Sequence, residues 1–87
     1  MNTYTHNRFP DESIIESVAC EVHAAWAAIR KSQGWRYGDR LDQKEKLHPS
    51  IVPYEQLSEQ EKEVDRATVK TVFKAIAELG LELRHPE

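Results

Sequence analysis

The chain has 87 residues, enough for one domain, and a formal net charge of -3 from 12 basic and 15 acidic side chains. That balance excludes a dedicated nucleic-acid binder, which carries a strong basic excess. A single cysteine, Cys20, excludes an intramolecular disulfide and is expected of a reducing, cytoplasmic setting.

A domain of this size buries roughly 60–65% of its unfolded surface, so it folds with a modest margin that a partner or a second copy would enlarge. No N-terminal apolar run resembles a signal peptide, and no apolar segment approaches the roughly 18 residues of a membrane span. A protein that works away from the membrane is expected.

Residues 1–10 (MNTYTHNRFP) are polar and aperiodic and read as an N-terminal arm that Pro10 closes. Residues 11–33 read as a helix. Asp11 or Ser13 can cap it, and Ser13 with Glu16 makes the S-x-x-E pattern of a capping box. Ile15, Val18, Val22, Ala25, Trp26 and Ile29 recur at three- and four-residue spacing and mark the expected buried face, which places Trp26 in the core. Gly34 stands where a helix ends in a left-handed residue.

Residues 35–52 carry no sustained period. A connection this long in so small a domain is usually functional or disordered, and its aromatic and aliphatic content argues for order. Gly38 suggests a turn, and residues 41–47 are expected to form one or two helical turns before His48-Pro49 stops them. Pro53 opens a short helical turn. The second long helix is expected over residues 58–79, with a Ser58/Glu61 capping box. Val69, Val72, Phe73, Ile76 and Leu79 form its apolar face, with Val64 and Ala67 adjoining it, and Gly80 stops it. Residues 84–87 are a tail, and Leu81 and Leu83 are expected to turn back over the core. The fold class read from these patterns is all-α: two long antiparallel helices joined by a long ordered crossover containing short helical turns.

The spacing His23-x-x-Trp26-Ala27-x-x-Arg30-x-x-x-Gly34-Trp35-x-Tyr37-Gly38 resembles the ryanodine-receptor repeat domain. So does the continuation Lys46-x-His48-Pro49-x-x-Val52-Pro53-Tyr54-x-x-Leu57. Glu61-Lys62-x-x-Asp65-Arg66 and Ala77-x-Leu79-Gly80-Leu81 complete a likeness that spans about residues 9–83, nearly the whole chain. The resemblance implies an all-helical unit of the kind that occurs in tandem pairs in ryanodine receptors and as stand-alone copies in prokaryotic and phage genomes. It does not imply a channel, because the chain holds no pore. A homodimer would rebuild the two-repeat arrangement. The tandem form is associated with adenine nucleotides bound against a tryptophan, and the resemblance places that role at Trp35.

The residues themselves read in two ways. Trp35 with Tyr37 could stack a base while Arg36 and Arg40 hold phosphate, with Lys46 and His48 as further cationic donors. Alternatively Trp35 anchors the core, Tyr37 hydrogen-bonds beside it, and His48, Pro49 and Pro53 fix the crossover. His23, Arg30, Asp65 and Arg66 read as structural, with Asp65 paired to Arg30 or Arg66. Gly34, Gly38 and Tyr54 complete the structural motif. The histidines show no metal-ligand spacing, and there is no nucleophile–base pair or glycine-rich phosphate loop. No catalytic residue, cofactor or metal is therefore expected. A non-enzymatic sensing or interaction module is expected, the alternative being a protein–protein adaptor without a small ligand.

Overall fold

A computed structural model describes residues 10–83. The expected arm and tail otherwise lie outside the described residues. In chain order the elements are α1 (Glu12–Ser32), β1 (Arg36–Tyr37), β2 (Leu47–His48), a 3-10 turn at Tyr54–Gln56 and α2 (Glu59–Glu78).

Asp11 starts α1. Its backbone is extended and its carboxylate accepts the Ile14 amide at 2.9 Å, satisfying a donor that the helix leaves open. The Ser13/Glu16 box does not form. The Ser13 hydroxyl donates to Asp11 Oδ1, and Glu16 turns instead to Arg66, at 2.7 Å from Nε. A two-pronged guanidinium–carboxylate pair is the stronger interaction. At the start of α2, by contrast, the Ser58/Glu61 capping box is complete.

Both helices end alike. Gly34 and Gly80 take φ of 95° and 81°, a region where a Cβ is strained. The Gly34 amide then reaches Lys31 O and the Trp35 amide reaches Arg30 O; Gly80 and Leu81 do the same to Ala77 and Ile76. These paired bonds are the Schellman termination. Their consequence for the first helix is to deliver Trp35 to a set position above Arg30.

The helices run antiparallel. Pro10 lies beside Phe73 and Ile76 at one end, and Trp26 lies beside Glu61 and Val64 at the other. Ile15, Ala19, Tyr54, Leu57 and Val69 form the core, so the crossover supplies its third side. Burial of Val69 alone contributes roughly 2 kcal/mol. The buried face of α1 runs through Ile15, Ala19 and His23, rotated from the expected one. Val22, Ala25 and Ile29 are exposed, and Trp26 is half-buried and outside the core. On α2, Val69 is buried and Phe73 and Ile76 are half-buried, while Val64, Val72 and Leu79 stay exposed. Leu81 and Leu83 turn back beside Phe73 and Ile76 yet remain exposed.

The crossover contains a feature the periodicity does not announce. β1 and β2 pair in parallel, Arg36 opposite Leu47 and Tyr37 opposite His48. Residues 41–47 do not form helical turns. Asp42 and Leu47 exchange two hydrogen bonds of 2.9 Å, and the Asp42 carboxylate accepts the Glu45 amide. A side chain that bonds its own backbone competes with helix in this way. Lys46 closes the turn in the left-handed region, and its ammonium donates to Gln33 O at 2.9 Å. A cation there complements the C-terminus of α1. Gly38 is required by space: a Cβ on it would stand 2.6 Å from Leu47 Cβ. Pro49 then sits at the second position of the turn that closes from Ile51 N to His48 O, and Pro53 precedes the 3-10 turn, as expected.

Among the described residues, no helix is long and apolar enough to cross a membrane.

Candidate functional site

His23 is the buried polar residue around which the site is hung. Its Nε2 lies 2.8 Å from Val52 O. A carbonyl only accepts, so Nε2 carries the proton and donates. The other ring nitrogen, Nδ1, lies 3.9 Å from Asp65 Oδ2 on α2. One imidazole thus touches the crossover and both helices.

From His23 a file of rings runs outward. His23 stacks on Trp26 with centroids 5.5 Å apart, and Trp26 meets His48 edge-on at 5.0 Å. His48 is tilted against Trp35 at 6.2 Å, and the Arg30 guanidinium covers Trp35 at 5.2 Å from its centroid. The Arg30–Trp35 contact occupies the place where a Schellman ending normally has an apolar pair. His48 is oriented from behind: its Nδ1 accepts the Ser50 amide at 3.0 Å. In the neutral ring the proton is then on Nε2, which has no hydrogen-bond partner among the described residues.

The facing wall is acidic. Glu61 takes the Ser58 amide and hydroxyl on Oε1 and the Ser50 hydroxyl on Oε2. The Ser50 hydroxyl bond, followed by that of the Ser58 amide, holds the Glu61 carboxyl below its ordinary range, so it stays ionised. Asp65, one helical turn on, accepts no hydrogen bond among the described residues. Its nearest ionic neighbour is His23 Nδ1.

Between the walls lies a cleft of about 250 Å³, floored by Leu57 and edged by Val64. Pockets for drug-sized ligands run from roughly 300 to 1,000 Å³, so this one is scaled to a single ring system. It offers an indole wall, an imidazole N–H at His48 and, at Asp65, a carboxylate that accepts no hydrogen bond among the described residues and faces His23 at 3.9 Å. A larger groove of about 440 Å³ lies between Ala24, Ala27 and Ala28 of α1 and residues 51–55. Another, of about 460 Å³, lies over Arg66, whose guanidinium is already taken by Glu16, Glu59 and Glu63. No group of His, Cys, Asp and Glu among the described residues is placed to hold a metal ion.

The residues singled out in the sequence separate on this map. Trp26, read as core, is the wall of the cleft, and His48 stands beside it. Trp35 is not among the residues lining the cleft; its ring lies 6.2 Å from that of His48. Arg36, Tyr37 and Arg40 are exposed on the strand and turn and are not among the lining residues. Lys46 caps α1. Asp65 pairs with neither Arg30 nor Arg66 but faces His23. Ser50, Glu61 and Val64 were not anticipated as lining. Of these only Glu61 carries a sequence signal, its place in the capping box, and that signal points to structure.

The family model described as RyR domain matches residues 9–85, nearly the whole chain. The chain belongs to the RyR domain family. The helical RyR architecture implied by the tryptophan- and proline-containing motif is the one observed, with the short parallel ribbon added inside the crossover. Within this RyR domain the motif residues divide by task. Gly34, Gly38, Pro49 and Pro53 shape the crossover; Arg66 ties α2 to Glu16; His23, Trp26, His48 and Asp65 meet at one cleft.

Proposed function

We propose that this RyR domain is a non-enzymatic ligand-sensing module, and that its ligand is a small planar nitrogen heterocycle stacked on Trp26, the base of an adenine nucleotide being the leading case. The observation that carries the reading is the conjunction of an indole face with a donor, His48 Nε2–H, and an acceptor, Asp65, neither of them hydrogen-bonded among the described residues, in a ring-sized cleft. Stacking on an aromatic face contributes about 1–3 kcal/mol per base. A donor and an acceptor at the ring edge add direction. Trp35 takes a supporting role, holding His48 in place.

A cytoplasmic setting agrees with Cys20 being unpaired. A second copy of the chain is the partner that suits the exposed aliphatic residues Val22 and Ile29 of α1 and Val72 and Leu79 of α2. The competing reading, a protein–protein adaptor, would use the crossover, where Tyr37 and Leu41 are exposed, as its contact surface and leave the cleft empty.

Thermal denaturation with and without millimolar adenosine, read together with tryptophan fluorescence, tests the proposal. Ligand raises the melting temperature and quenches emission; Trp26→Ala abolishes both effects while circular dichroism stays helical, and Trp35→Phe leaves them largely intact. A shift that survives Trp26→Ala but disappears in Trp35→Phe moves the site to Trp35. No response from a panel of purine and pyrimidine nucleosides and nucleotides leaves the adaptor reading in possession.

A further inference from the structure

We infer that the cleft recognises the amino-substituted ring alone, as an uncharged or positively charged head, and gives phosphate groups no favourable place. This rests on the ring-stacking reading and adds the sign of charge that the site accepts.

Among the described residues the lining contains two carboxylates, Glu61 and Asp65, and two imidazoles, His23 and His48, with neither lysine nor arginine. A phosphate entering it would face like charge across a few ångströms, in surroundings drier than bulk water, where such repulsion is least screened. An exocyclic amine or a ring N–H would meet an acceptor that lacks a donor.

The feature that normally rescues an anion site is also occupied. A helix N-terminus offers free amides and a positive dipole end, and α2 begins at the edge of this cleft. Here Ser58 Oγ already accepts the Glu61 amide, and the Glu61 carboxylate already fills the position over the Ser58 amide. Glu59 adds a further negative charge to the first turn. The protein has placed its own anion where a phosphate would bind.

The lysines and arginines nearby among the described residues are committed elsewhere. Arg30 covers Trp35, and Lys46 donates to Gln33 O. Lys62 lies over the Tyr54 ring and 3.7 Å from Glu59, while Arg66 is surrounded by three carboxylates. The fold itself shows that its aromatic faces receive cations, twice, at Trp35 and Tyr54.

The test is a titration series on the whole chain with adenosine, AMP and ATP, in buffer free of divalent cations, followed by calorimetry and tryptophan fluorescence. Adenosine is expected to bind at least as tightly as ATP. Asp65→Asn, which keeps an acceptor oxygen and removes the charge, is expected to improve ATP relative to adenosine by about fivefold or more. ATP binding more than threefold tighter than adenosine in the wild type overturns the inference while leaving the ring reading standing. Absence of binding by all three defeats the ring reading and this inference with it. If Asp65→Asn proves unfolded by circular dichroism, the wild-type ranking of the three ligands decides alone.

Discussion

Replacement of His23 by alanine tests the strut on which the cleft depends. The substitution removes the 2.8 Å donor to Val52 O and leaves that carbonyl without its partner. An unsatisfied acceptor of this kind costs about 1–3 kcal/mol. The ring contacts to Trp26 at 5.5 Å and Tyr54 at 6.3 Å disappear with it. Each such pair contributes roughly 0.5–1.5 kcal/mol beyond burial. The sum is about 4 kcal/mol, against a total stability of about 4–13 kcal/mol for a chain of this length. At 4–8 °C per kcal/mol, the melting temperature falls by roughly 16–32 °C. The assay is far-ultraviolet circular dichroism on heating, with urea denaturation at 25 °C to fix the free energy. His23→Gln, which keeps an N–H donor, should recover about half the loss. A fall below about 4 °C for His23→Ala would refute the assignment of His23 as the link between crossover and helices, because neither the orphaned carbonyl nor the lost packing would then have registered.

Two further substitutions follow from geometry in the same way. Gly38→Ala sets a Cβ 2.6 Å from Leu47 Cβ and must push β1 and β2 apart. A loss of about 1–3 kcal/mol in urea denaturation is expected, and a neutral result would mean that the ribbon yields freely. Acid titration examines Glu61. Its carboxyl is held below the ordinary value of 4.5 in the folded chain, so the stability it contributes is complete above that pH and is lost as pH falls through the lowered folded value. Glu61→Gln should flatten that part of the stability profile below pH 4.5, and an unchanged acid limb would show that the Ser50 and Ser58 bonds do not select the ionised form.

How much of this was legible depended on how local the cause was. Helix ends were readable because Ser58, Glu61, Gly34 and Gly80 act within four or five residues of themselves. The buried face of α1 was not. Alanines at 19, 24, 25, 27 and 28 blur the apolar arc, so periodicity admits more than one rotation. The rotation is settled by a carbonyl 29 residues away, at Val52, which turns His23 inward and carries Trp26 out to the cleft. The turn at 41–47 was missed for a different reason. Its lysines and glutamate suit a helix, and only the Asp42 side chain, bonding to the Glu45 amide, tips the balance. The resemblance identified the motif and implied a ligand role at Trp35, which is not among the residues lining the cleft beside Trp26. Sequence spacing does not distinguish a ring that lines a cleft from one that stands behind it.

The attachment of the crossover has a mechanical consequence. Its long-range bonds run mostly to α1: Val52 to His23, Lys46 to Gln33, and His48 against Trp26. Its side-chain hydrogen bond to α2 within the cleft is that of Ser50 to Glu61. The aromatic wall is therefore held mainly to α1 and the carboxylate wall stands on α2, so the cleft lies along the seam between the two helices. On the proposed reading, a ligand in it would fasten one to the other, and occupancy would become stiffness: slower amide exchange along α2 and a smaller amplitude of parting between the helices. The presence of the proposed ligand would then register as a change in rigidity, without any element having to change its fold.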